Sequence, residues 1–87
     1  MSFENADKKE CLKNLVEFIV KNLVDYPEQV NVSLINGEQA TIIELKVSQS
    51  DLGKVIGKQG RTAKALRTLV HAIATKQKKR AILEILE

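Results

Sequence analysis

Apolar positions along this chain follow a helical period, then an alternating one, then a helical one again, and finally a β-rich run. Leu12, Leu15, Val16, Ile19, Val20 and Leu23 recur at intervals of three and one. That spacing lays one apolar stripe along a helix over residues 8–25. Asp7 with Glu10 makes a capping box at its start, and Pro27 ends it by pushing the preceding residue out of the helical region. Phe18 is expected in the core, and Cys11 fills a small apolar place beside the stripe. Val30, Val32 and Leu34 alternate with Asn31 and Ser33, which predicts a strand with one buried face. Ile43, Leu45 and Val47 alternate in the same way with Glu44 and Lys46. Asn36-Gly37, lengthened by Glu38 and Gln39, predicts an antiparallel hairpin between the two. A short helix over 51–56 follows, capped by Ser48, Ser50 or Asp51. A longer helix over 61–78 turns Leu66, Leu69, Val70 and Ile73 inward. Ala81–Leu86 closes the chain as a third strand, whose faces are ambiguous because Ile82 and Leu86 oppose Leu83 and Ile85.

The predicted order is α-β-β-α-α-β, an α+β two-layer domain with a three-stranded mixed sheet and three helices on one face. Two successive helices return the chain to its starting end. The third strand is therefore expected to run opposite to the second and parallel to the first. The chain's 87 residues suffice for a single domain over 1–87, with a thin core.

Charge changes the picture more than composition does. Residues 1–50 carry five Lys against eight Asp and Glu, a balance of −3, whereas residues 51–87 carry nine Lys and Arg against three acids, a balance of +6. No acid lies between Leu52 and Leu83. A basic half beside an acidic half predicts an oriented molecule that meets a polyanion on one side. No apolar run approaches the roughly 20 residues of a membrane span. The first ten residues are acidic and polar, unlike a secretory signal. One cysteine excludes an intramolecular disulfide. A reducing, cytoplasmic setting is the expectation.

Within the basic half, Gly57 and Gly60 bracket Lys58 and Gln59 between two predicted helices. Glycines there let the backbone turn sharply and let another molecule come close. The first amides of the following helix lack intrahelical partners and carry the positive end of its dipole. Lys58 at the loop tip and Arg61 and Lys64 in the first turn add fixed cations, so the stretch suits a phosphate. A nucleotide P-loop is excluded, because Gly53 and Gly57 are three residues apart and no Ser or Thr follows Lys58. A dinucleotide fingerprint fails too, because the loop follows a helix and not a strand.

The run Gly53-Lys54-Val55-Ile56-Gly57-Lys58-Gln59-Gly60, set between two helices, resembles the signature loop of the KH domain. The element order resembles the type II, prokaryotic form. Over nearly the whole chain, and most of all in GKVIGKQGRTAKALRTLV, the sequence is similar to the KhpA family of small single-domain bacterial KH RNA-binding proteins. The resemblance implies that Gly57, Lys58, Gln59 and Gly60 grip the backbone of about four single-stranded nucleotides. It implies that Gly53, Lys54, Val55 and Ile56 belong to the helix beside the binding groove, with Ile56 as a wall, and that Arg61, Lys64 and Arg67 extend a basic rim. Of Val55 and Ile56, one faces the groove and one the core. It also implies a homodimer, or a heterodimer with a second KH-containing protein.

No aromatic residue lies in the basic half, so bases are expected on an aliphatic groove and not on stacked rings. Lys76, Lys78, Lys79 and Arg80 form a second basic cluster, either a further backbone contact or a solvated helix end. His71 reads as an ordinary helix residue. The leading expectation is a non-catalytic single-stranded RNA-binding module serving as an RNA chaperone or post-transcriptional regulator, without cofactor or metal. The rival is a dimerisation or docking module, favoured by Ile82 and Leu86 if they are exposed. An enzyme is the poorest reading, since one His and one Cys cannot assemble a catalytic or metal-binding set.

Overall fold

The computed structural model describes residues 8–87. Its elements are α1 (Lys8–Lys21), β1 (Asn31–Asn36), β2 (Thr41–Lys46), α2 (Leu52–Ile56), α3 (Arg61–Lys76) and β3 (Ala81–Ile85), with single 3-10 turns at Pro27–Gln29, Gln49–Asp51 and Lys58–Gly60. The expected order and the α+β class are those observed. The capping box at Asp7 lies outside the described residues.

The sheet runs β1-β2-β3, with β1 antiparallel to β2 and β3 parallel to β2. The direction expected for β3 is therefore corrected: it follows the second strand and opposes the first. The reason is the length of α2. Five residues rise only about 7.5 Å, whereas the 16 residues of α3 span about 24 Å. Only α3 traverses the sheet, so residues 47–80 act as one crossover between parallel strands.

The alternation in the strands sorts as expected. Val32, Ile43, Leu45 and Leu83 face the helices and are buried. They meet Leu12, Val16 and Val20 of α1, Val55 of α2, and Leu66, Val70 and Ala74 of α3 in one core. Residues of the opposite parity lie on the outer face. There Ile35, Ile42 and Ile82 are in register, with Glu44 and Glu84 paired in the next row but one.

Three residues expected on inner faces are not core: Phe18, Leu69, and Leu23, which lies past the end of α1 and is 41% exposed. Phe18 is 66% exposed, because Leu12, Val16 and Val20 at four-residue spacing occupy the inner line and leave Phe18 on the far side. Leu69 is 48% exposed; the stripe that packs runs through Ala63, Leu66, Val70 and Ala74 and leaves Leu69 at its rim.

The first helix stops at Lys21, four residues before the expected end. Tightened bonds from Leu23 N to Val20 O (2.9 Å) and Asn22 N to Ile19 O (3.1 Å) close its last turn. Beyond it, the amides of Asp25 and Tyr26 donate to the carboxylate of Asp51, at 3.1 and 3.0 Å. Asp51 is thus a long-range anchor and not the helix cap expected of it. Neither it nor Ser48 makes a side-chain cap hydrogen bond to the element it precedes, and the Ser48 and Ser50 hydroxyls bond each other at 2.9 Å.

Candidate nucleic-acid interface

Asp51 fixes where α2 begins. Its carboxylate is 1% exposed and holds the segment after α1 against the first turn of α2. With that end fixed, the helical repeat distributes the remaining residues. Val55 points into the core and is fully buried, which leaves Ile56 as the half-exposed member of the pair. Gly53 lies three residues before Ile56, on the same side of the helix, and is exposed with open space where a side chain would begin. Lys54 stands on the other flank. It forms an ion pair with Asp25, and the hydrogen bond from that pairing holds its ammonium above the usual lysine range. Its charge is thus engaged within the molecule, unlike the other cations expected at the site.

The chain leaves α2 through a bond from Gly57 N to Gly53 O (2.8 Å) and turns at once. Gly57 has φ 78° and ψ 172°, a region open to glycine alone. A Cβ there would collide with the Thr62 hydroxyl and lie 2.9 Å from the Thr62 amide nitrogen. Gln59 and Gly60 follow in the left-handed region, at φ 57° and 73°. This succession folds the loop back so tightly that α3 begins at Arg61, immediately after Gly60.

Gly60 provides no side-chain cap for α3. The Arg61 amide donates to Lys58 O, and the next amides of the first turn and the positive end of a 16-residue helix open beside the glycine loop. Lys58, Gln59, Arg61 and Lys64 are exposed around it. Arg61 Nη2 lies 3.4 Å from Gln59 Oε1, which draws the guanidinium toward the loop. Lys58, Arg61, Lys64 and Arg67 form no ion pair among the described residues. Arg67 reaches across to β3, where its Nε donates weakly to Leu83 O at 3.5 Å. The structure therefore gathers Gly53, Ile56, the four loop residues, Arg61 and Lys64 around one helix junction, places Arg67 between α3 and β3, and sets Lys54 on the opposite flank.

The second basic cluster is elsewhere. Lys78, Lys79 and Arg80 line a recess of about 430 Å³ with the hairpin residues Gly37–Thr41, past the far end of α3. The helix ends there in a Schellman arrangement, with Lys79 N bonded to Ala74 O (2.8 Å) and Lys78 N to Thr75 O (3.0 Å). Lys78 takes the left-handed position, φ 57°, where glycine is usual.

Two residues of the junction escape a sequence reading. Asp51 and Tyr26 are 25 positions apart, and no local pattern links them. Tyr26 is 46% exposed, beside the first turn of α2.

An α-β-β-α-α-β chain whose last two helices meet at glycines of positive φ is a KH domain of type II. The chain belongs to the family described as KhpA/KhpB, KH domain, which matches residues 13–85. The RNA-binding protein KhpA of Clostridium acetobutylicum is 56% identical over 75 residues, covering 86% of this chain and 100% of that protein. KhpA of Caldanaerobacter subterraneus is 61% identical over 72 residues (83% and 96%). KhpA of Aquifex aeolicus is 55% identical over 77 residues (88% and 98%). Among solved structures, Era in complex with MgGDPNP and nucleotides 1506–1542 of 16S ribosomal RNA superposes with a TM-score of 0.63 at 16% identity, over 93% of this chain and 31% of Era. That likeness is one of fold.

Proposed function

We propose that the chain binds single-stranded RNA, without catalysis, through the loop Gly57–Gly60 and the open N-terminus of α3. The observation that carries this reading is the junction itself: two positive-φ glycines leading into a helix with no side-chain cap, ringed by cations that form no ion pair among the described residues. Phosphates approach the loop because no side chain bars them, and the helix amides and the charges of Lys58, Arg61 and Lys64 receive them. About four nucleotides fit such a loop. Their bases lie along the surface of Gly53 and Ile56, with Arg67 on the β3 side. The names of the relatives, RNA-binding protein KhpA, support the same ligand class. A contact this small binds weakly alone, so a homodimer, or a heterodimer with another KH-containing protein, supplies the second grip. The corresponding role is that of an RNA chaperone or post-transcriptional regulator in the cytoplasm.

Exchanging Lys58 and Gln59 for Asp tests the reading. Fluorescence anisotropy with a labelled single-stranded hexaribonucleotide is expected to show a loss of at least about tenfold, on the scale of charge-assisted contacts, with the circular dichroism unchanged. Equal affinity in the two proteins contradicts it.

A second reading, a docking module, is favoured by the row Ile35–Ile42–Ile82 on the outer sheet face, where Ile35 and Ile82 are 46% and 47% exposed. It predicts that the same double substitution leaves all complexes intact and that Ile82→Lys breaks them.

A further inference from the structure

The basic half, residues 51–87, contains no aromatic residue. The fold supplies one from the other half. The buried carboxylate of Asp51 accepts hydrogen bonds from the amides of Asp25 (3.1 Å) and Tyr26 (3.0 Å), and Lys54 pairs with the side chain of Asp25. Pro27 fixes the backbone on the other side. Residues 25–26 are thereby pinned against the helix that leads directly into the glycine loop.

The pinning uses the backbone amides and the Asp25 side chain but not the Tyr26 side chain, so it sets no requirement on the ring. An aromatic ring gains most from burial, yet this one is left 46% exposed. Asp25, the residue before it, pairs with Lys54, which brings that cation close to Tyr26. A rigid backbone mount, a half-exposed ring and a neighbouring cation are the parts of a stacking platform for nucleobases.

We propose that Tyr26 stacks against the base of a nucleotide adjoining the segment gripped by the glycine loop, extending the RNA site from α2 onto the segment that follows α1. The inference rests on the RNA-binding reading above and adds to it a contact from the acidic half. Stacking on an aromatic face tolerates any base, so Tyr26 adds affinity and length to the site without setting a sequence preference.

The chain has one Tyr and no Trp, so its tyrosine ring resonances belong to Tyr26 alone. Titration with a single-stranded hexaribonucleotide of mixed sequence is expected to move those ring protons upfield. Tyr26→Phe keeps the stacking face and is expected to bind within about twofold of the parent. Tyr26→Leu is expected to lose about tenfold, within the range found for single base–aromatic stacks. Thermal denaturation serves as the folding control, because the mount does not involve the ring. Unmoved ring protons with unchanged affinity in Tyr26→Leu overturn the proposal, and if the Lys58/Gln59 double-Asp protein still loses RNA, the loop reading survives. Equal losses in the Phe and Leu variants also overturn it, by shifting the contact to the hydroxyl. Failure of the parent protein to bind the hexamer overturns the loop reading and this one together.

Discussion

Gly57 and Gly60 lack side chains for different reasons, and the difference is measurable. Gly57 combines a glycine-only conformation with a crowded approach to Thr62. Gly60 sits in the ordinary left-handed region, φ 73° and ψ 15°, with nothing within 4 Å of where a Cβ would stand. Asparagine visits that region readily. Gly60→Asn is therefore expected to cost about 1 kcal/mol or less, whereas Gly57→Ala is expected to cost roughly 2–3 kcal/mol from strain and collision together. Thermal or urea denaturation of the two variants checks this, and the reverse order contradicts the geometry of the loop.

At the scale of elements, α2 is the short piece on which the site depends. Gly53 has no conformational need to be glycine: its φ is not positive, and an added methyl would meet open space. A glycine within a helix is less favourable than alanine by about 0.8–1 kcal/mol. Gly53→Ala should thus raise stability by roughly 0.5–1 kcal/mol while thickening the surface along which bases are proposed to lie, so that RNA affinity falls. Denaturation and anisotropy on one variant test both halves; tighter RNA binding would remove Gly53 from the groove.

Much of this level was legible from residue pattern. The 2.0 and 3.6 periods located both hairpin strands and the two long helices, the polar residues at 48–51 marked the short one, and the glycine spacing located the turn between α2 and α3. The errors have physical causes. The direction of β3 failed because counting helices treats a five-residue helix as a full traverse. The end of α1 lies short of the expected one because tightened bonds from Asn22 and Leu23 close the helix before Pro27 is reached. Phe18 and Leu69 were misplaced because an apolar residue beside a stripe resembles one within it until the packing partner is known. The ion pair that engages Lys54 is not legible from pattern, because Asp25 is 29 residues away.

Across the whole molecule, charge is distributed unevenly, with most cations of the second half gathered on α3 and the loops at its two ends. Glu44 and Glu84 meet on the outer face of the sheet beside Lys46, whereas Lys58, Arg61 and Lys64, which form no ion pair among the described residues, cluster at the helix junction. Such a molecule orients before it touches a polyanion, with the helix junction leading. If three or four phosphates are neutralised there, log K against log salt should fall with a slope of about −2 to −3, at about −0.7 per phosphate on a single strand. Each of Lys58→Gln and Lys64→Gln should flatten that slope by about 0.7. A slope near zero would show that the cations are spectators.

The central claim is that phosphate is held where the glycine loop meets the start of α3. Amide chemical-shift mapping by nuclear magnetic resonance, with a short single-stranded oligoribonucleotide at low ionic strength, tests it most directly. The account predicts that the largest shifts fall on Lys58, Gln59, Arg61 and Thr62 and fade when salt is raised. Shifts confined to the outer face of the sheet, with the amides of residues 57–62 unmoved, would contradict it.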